Sequence, residues 1–205
     1  AKLARYRGRL LISQRATIGP AYDDISPLHR QAYLTAIRFA YPLADMIISN
    51  SRAAATELHE KFGLAKDRII TIQNQIDAKQ VTRLSREPLD DSWMAGGGAA
   101  TIISVGSLTQ RKDMGTLIRA LAVVRQTRDV RLVILGEGQE RSPLEELTGR
   151  LGLQRAVYLP GFDANPYRWM KQSDMLVSAS RAEGFPNVIV EALALGMKVI
   201  ATDCP

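Results

Sequence analysis

Cysteine is almost absent from these 205 residues: Cys204 stands alone. A lone cysteine excludes an intrachain disulfide and a cysteine-based metal cluster. Histidine is nearly as scarce, and two residues, His29 and His59, are too few for an ordinary zinc site. No Asp-x-Asp pair occurs, so no metal site is expected. No apolar run is long enough to cross a bilayer, and no signal-peptide pattern opens the chain. What remains, 46% hydrophobic and 23% charged residues, suits a globular protein of one large or two small domains. Scarce cysteine fits a reducing, cytoplasmic setting.

The net charge of +6 is unevenly placed. Residues 1–40 hold seven basic side chains (Lys2, Arg5, Arg7, Arg9, Arg15, Arg30, Arg38) against Asp23 and Asp24. Such a stretch can meet an anionic membrane at its inner face or an acidic acceptor; it can equally be a solvated surface. The chain starts at Ala1 and stops at Pro205, directly after a strand-like run. Both ends are expected to be cut inside a fold.

From residue 100 onward, apolar strands alternate with helices. Thr101-Ile102-Ile103-Ser104-Val105, Val130 to Leu135, Ala156-Val157-Tyr158-Leu159, Met175 to Ser178 and Lys198 to Ala201 read as strands. Helices are expected over about 115–128, from Ser142-Pro143 to Leu151, over about 165–172, and after Pro186. That order predicts an α/β fold: a doubly wound parallel sheet with helices on both faces and ligands beyond the carboxyl ends of the strands. Residues 1–76 show a partial unit of the same kind, with strands at 10–13, 46–49 and 69–72. The stretch 77–99 is rich in breakers (Pro88, Asp90-Asp91, Gly96-Gly97-Gly98) and reads as a connection between two domains.

The densest chemical signal is Glu183-Gly184-Phe185-Pro186-Asn187-Val188-Ile189-Val190-Glu191. Pro186 suits the first helical position, where its missing N–H has no partner to lose. Gly184 lets backbone approach a ligand closely. The free N–H groups of the first helical turn form an anion site, most naturally for phosphate. Glu191 then lies roughly 7–8 Å along the helix, about the reach from a diphosphate to the ribose of the same nucleotide. The helix is apolar nearly all round, which predicts burial, and a buried carboxylate is costly without a partner. The alternatives are a Glu on an exposed stripe and a glycosidase-type acid/base pair; a carboxylate embedded behind a phosphate-type turn disfavours the second.

A second loop, Gly106-Ser107-Leu108-Thr109-Gln110-Arg111-Lys112-Asp113, follows the first strand of the C-terminal series. Lys112 stands near the start of the next helix, where a cation opposes the helix dipole unless an anion sits in the loop. The plainer alternative is a lysine in water. Gly136-Glu137-Gly138 leaves room for a base or ribose but is common after strands. Tyr158-Leu159-Pro160-Gly161-Phe162 offers backbone groups to a nucleobase edge, while Tyr158 and Phe162 themselves are expected in the core.

The run Ser180 to Gly196 resembles the E-x7-E signature of retaining glycosyltransferases of family 4, proteins with two Rossmann-like domains (GT-B type). Val105-Gly106-Ser107-Leu108 with Arg111-Lys112 is similar to their donor-phosphate loop. Leu135 to Gly138, Leu159 to Phe162, Ala44 to Ser51 and Ile72 to Asp77 fall where that family has similar runs. The resemblance implies an N-terminal acceptor-side domain ending at 76, a connection over 77–99 and a donor-binding domain over 100–205, with the first and last elements of the family's fold missing. It implies that Lys112 binds the donor diphosphate, that Glu191 bonds the ribose hydroxyls, and that Glu183 lies by the donor sugar with the N–H groups of Gly184 and Phe185. Gly106, Ser107, Arg111, Gly136, Gly138, Leu159, Pro186 and Asn187 complete the expected nucleotide site. Many members carry Arg where this chain has Ser107; Arg111 is a candidate to replace that charge. The implied reaction moves a sugar, with retention, from a nucleotide diphosphate donor (UDP by default, ADP and GDP open) to a glycan or lipid-linked acceptor, as in polysaccharide or lipopolysaccharide assembly. No cofactor and no nucleic acid partner are expected. A non-catalytic nucleotide-binding module and a sugar-nucleotide epimerase of the same fold remain as rivals. This chain alone is expected to bind nucleotide without completing transfer.

Overall fold

A computed structural model of the chain describes residues 8–18, 26–96 and 98–204. Lys2, Arg5, Arg7, Asp23, Asp24 and Gly97, named above, lie outside the described residues. Contacts divide the chain into two units: one of Ala1–Gln75 with Ala182–Phe185 and Cys204–Pro205, the other of Ile76–Arg181 with Pro186–Asp203.

In the first unit, β1 (Leu11–Gln14), β2 (Met46–Ser49) and β3 (Ile69–Thr71) form a parallel sheet in that order. Helix α1 (Pro27–Ala40) starts where Ser26 accepts the His29 N–H and Pro27 supplies a first residue with no N–H to satisfy. Helix α2 (Arg52–Phe62) is capped by Ser51 and ends on left-handed Gly63. Ile37, Ile47 and Leu58 fill the core between them.

The second unit is built on five parallel strands: β4 (Ala100–Val105), β5 (Val130–Leu135), β6 (Val157–Gly161), β7 (Met175–Ser178) and β8 (Lys198–Ala201). Their order is β6-β5-β4-β7-β8. The apolar run Leu132 to Leu135 of β5 marks a strand covered on both faces. One face packs Leu132 and Ile134 against α5 (Met114–Val124) and α6 (Arg141–Arg150). The other packs Val133 and Leu135 against α7 (Pro166–Lys171) and α8 (Asn187–Ala194). Each of these side chains contributes about 1.5–3 kcal/mol by leaving water. The order reverses between β4 and β7, so the loops after those two strands diverge and open a crevice at the carboxyl ends.

The breaker-rich stretch contains α3 (Ala78–Leu84) and α4 (Ser92–Ala95), started by Asp77 and Asp91 caps. Both dock on the second unit. Asn165 Nδ2 donates to the Leu84 carbonyl at 3.0 Å, Tyr158 Oη to Asp91 at 3.1 Å, and Arg131 stacks 4.4 Å from the Trp93 ring centroid. Three local expectations are corrected. Helix α5 stops at Val124 rather than near 128, because residues 125–128 close it with tighter turns. Pro186 is the residue before α8, not its first residue; its carbonyl accepts the Ile189 N–H at 3.0 Å. Helix α8 is not sunk in the core: Ala192 is its buried residue, and Leu193 is 59% exposed.

Candidate functional site

Past their last ladder bonds, the strands of the second unit stay stitched together. The Gly106 N–H donates to the Leu135 carbonyl (3.0 Å), Gly136 to Gly161 (2.8 Å) and Leu108 to Glu137 (2.9 Å). Gly136, at φ 146°, presses against the Gly106 carbonyl, and Gly138 against that of Leu108. A side chain at either glycine would meet the neighbouring loop's backbone. These glycines serve loop packing, and the packing fixes the floor of the crevice.

Above that floor lies a cavity of about 500 Å³, the size of a small-molecule site. Val105, Gly106 and Ser107 bring it the end of β4; Leu135, Gly136 and Glu137 the end of β5; Phe162, Asp163 and Tyr167 the segment through α7; and Glu191 the middle of α8. Phe162 is 77% exposed on this wall, not in the core as an aromatic after a strand would suggest.

Three carboxylates line the cavity, and their partners separate them. Glu137 is paired with Arg141 at 2.6 Å, and Asp163 with Arg168 at 2.6 Å. Burial alone would raise the Asp163 carboxyl, but bonds from Trp169, Arg168 and the Asn165 N–H outweigh it and hold it below its usual range. Glu191 meets a neutral group: Tyr167 Oη donates to Oε1 at 3.2 Å. Burial pushes the Glu191 carboxyl above its usual value, and the Tyr167 bond offsets only part of that. Tyr167 is pushed up too, first by burial and then by the Glu191 charge. Glu191 is thus a carboxylate facing a cavity with a hydroxyl, not a cation, beside it.

Lys112 ends a 3-10 turn, Gln110–Lys112, two residues before α5. Its side chain folds back over Gly106; a Cβ on that glycine would lie 3.3 Å from Lys112 Cε and 3.7 Å from Nζ. The ammonium therefore stands over one edge of the cavity floor. Arg111 is half-buried, and its carbonyl accepts the Arg181 N–H at 2.8 Å. Asn187 is exposed at the start of α8. Glu183, Gly184 and Phe185 group with the first unit, where Gly184 presses against the backbone of Arg15 and Ala16. The close approach expected at Gly184 is thus to the chain's own backbone.

The cavity wall brings together Gly106, Ser107, Gly136 and Glu191, with Lys112 over Gly106. Gly138 sits one loop behind it, against Leu108. Leu159 faces away: its side chain joins the core and its carbonyl accepts from Arg141 at 2.9 Å. Tyr167, Asp163 and Phe162 are additions to the expected set. Only the exposed aromatic had a signal in the sequence, its place directly after a strand-ending glycine. Among the described residues, no group of three or more His, Cys, Asp and Glu is placed to hold a metal.

The glycosyl transferases group 1 family matches residues 99–205, more than half of the chain. The chain belongs to that family. Its relatives among known sequences agree. It is 37% identical over 169 residues to N-acetylgalactosamine-N,N'-diacetylbacillosaminyl-diphospho-undecaprenol 4-alpha-N-acetylgalactosaminyltransferase of Campylobacter jejuni, across 82% of this chain and 44% of the relative. It is 32% identical over 179 residues to an uncharacterized glycosyltransferase of Methanocaldococcus jannaschii, across 86% and 44%. The crystal structure of Anabaena Alr3699/HepE in complex with UDP and glucose superposes with a TM-score of 0.76 at 25% identity, across 97% of this chain and 54% of that one. The chain thus spans about half the length of the proteins it matches. As a member of that family it has the Rossmann-like, GT-B kind of α/β fold, with parallel sheets throughout the described residues. Among the described residues, no helix is long and apolar enough to cross a membrane.

Proposed function

We propose that the second unit binds a nucleoside diphosphate sugar, UDP-sugar by default, and serves as the donor side of a retaining glycosyl transfer to a glycan or lipid-linked acceptor. The observation that carries this reading is the cavity at the carboxyl ends of β4 and β5, with Lys112 over its Gly106 edge and Glu191 on its opposite element. In this reading Lys112 and the N–H groups opening α8 hold the diphosphate and stabilise its charge as it leaves. Glu191 accepts from ribose hydroxyls through Oε2, since Tyr167 occupies Oε1. Phe162 offers its exposed ring to the base. Glu183 and the N–H groups of Gly184 and Phe185 serve the sugar. Retention follows from same-face attack at an oxocarbenium-like centre, without a strong enzymatic nucleophile.

Support for a uracil nucleotide comes from the Anabaena structure, crystallised with UDP. Support for a lipid-linked acceptor comes from the Campylobacter relative, whose name specifies a diphospho-undecaprenol substrate. Residues 1–76 are assigned to the acceptor side and 77–99 to the connection. Transfer itself is assigned to a protein of the relatives' full length, and donor binding to this chain. Peripheral contact with an anionic membrane at its inner, cytoplasmic face belongs to the same proposal, through exposed Arg9, Arg15, Arg30 and Arg38. Incubation of a full-length protein with labelled UDP-, ADP- and GDP-sugars and lipid-linked glycan acceptors tests the assignment. Labelled glycan with the donor's anomeric configuration supports it. Binding without turnover points to a non-catalytic module, and an epimerised free sugar nucleotide to an epimerase.

A further inference from the structure

Lys112 is held in place by a device the E-x7-E pattern does not contain. The residue after it, Asp113, has φ 46° and ψ 47° and is the one non-glycine residue with positive φ among the described residues. Left-handed backbone is unfavourable for a side-chain-bearing residue and persists where the surroundings over-determine it. Two contacts do so here. Asp113 Oδ1 accepts the Thr116 N–H at 3.4 Å, capping α5, and Oδ2 accepts from Arg181 Nε at 3.0 Å. Arg181 uses its backbone as well: its N–H donates to the Arg111 carbonyl at 2.8 Å. One residue on the loop after β7 thus grips the β4 loop on either side of Lys112, at Arg111 and at Asp113.

Gly or Asn would adopt left-handed backbone more cheaply than Asp. Their loss would be the negative charge, and here that charge has a task. Arg111, Lys112 and Arg181 bring three positive charges to this pair of loops, and the Asp113 carboxylate, with 17% of its side chain exposed, pairs with the last of them. It cancels part of their repulsion and orients the arginine fork. We propose that Arg181 and Asp113 form a clasp that positions Lys112 for the diphosphate of the donor. Neither residue of the clasp touches the donor; both are positioning residues. This inference rests on the nucleotide reading given above.

The test titrates UDP and uridine, with the ADP/adenosine and GDP/guanosine pairs alongside, into the 205-residue chain and its variants Asp113→Asn, Arg181→Ala, Arg181→Lys and the Asp113→Asn/Arg181→Ala double. Asn tolerates left-handed backbone and keeps the cap, so Asp113→Asn isolates the charge. Each variant should bind the diphosphate about three- to tenfold more weakly, and the double no worse than the weaker single. Unchanged nucleoside affinity is both the expectation and the internal check that each variant is folded. Arg181→Lys should stay near Arg181→Ala, because it keeps the charge and loses the planar fork. Additive losses, equal losses for nucleoside and diphosphate, or full recovery with Lys overturn the clasp and leave the nucleotide reading standing. A wild-type chain that binds no nucleoside diphosphate overturns both.

Discussion

Substituting alanine at Gly136 tests whether the crevice floor is held by backbone packed on backbone. Gly136 has φ 146°, and its N–H is tied to the Gly161 carbonyl at 2.8 Å. A Cβ there would collide with the Gly106 carbonyl oxygen and lie 2.9 Å from the carbonyl carbon. Neither atom can swing away, because the Gly106 N–H is itself bonded to Leu135 at 3.0 Å. Two costs add. The backbone conformation costs alanine about 1–3 kcal/mol, and overpacking about 1–3 kcal/mol more. The sum, roughly 2–6 kcal/mol, is a large share of the ~5–15 kcal/mol that holds a domain together. Gly152→Ala is the control: φ is 67° but nothing lies within 4 Å of the added Cβ, so only ~1–2 kcal/mol is at stake. Urea unfolding followed by tryptophan fluorescence suits the comparison, since Trp93 and Trp169 both lie in the second unit. Gly136→Ala should lose clearly more stability than Gly152→Ala, and it alone should lose nucleotide affinity. Equal destabilisation by the two variants, or intact affinity in Gly136→Ala, would refute the close approach of the two loops.

Two further outcomes concern the cavity walls. Burial holds the Glu191 carboxyl above its ordinary 4.5, so the stability linked to it is fully present below that value and is lost as pH rises through the raised one. Glu191→Gln should therefore stabilise the free chain at neutral pH, with the gain vanishing below 4.5, while weakening ribonucleotides more than 2′-deoxy analogues; urea midpoints against pH and paired titrations check both halves. Phe162→Ala removes a ring that is 77% exposed, so stability should barely change while uridine and UDP affinity fall together, by about 1–3 kcal/mol if the ring stacks on the base; unchanged affinity for both would remove Phe162 from the site.

Much of this was legible because the relevant interactions are local or periodic. The apolar run Leu132 to Leu135 can be little other than a strand covered on both faces, and the Glu183–Glu191 spacing and the Gly106–Lys112 loop each sit within one strand–helix connection. What escaped depends on pairings across the chain. Tyr167 reaches Glu191 from another helix, and Arg181 reaches Asp113 from 68 positions away. No spacing rule announces such contacts. Phe162 departs from expectation because an aromatic after a strand usually turns inward; here Gly161, at φ 97°, turns the chain and leaves the ring on the cavity wall. Pro186 lies one residue before α8 rather than at its start, because a proline suits the position before a helix as well as its first residue. The burial expected of α8 failed at Leu193 because an all-round apolar composition does not say which face meets the sheet.

The most direct test of the account is the affinity of Lys112→Ala for UDP and for uridine, measured side by side with the unaltered chain by calorimetry, with the ADP and GDP pairs as alternatives. A charge-assisted contact to the diphosphate is worth about 1.5–3 kcal/mol, so the diphosphate should bind tenfold or more weakly while the nucleoside is unaffected. Equal losses for the two ligands, or no loss for either, would contradict the placement of the donor phosphates beside Lys112.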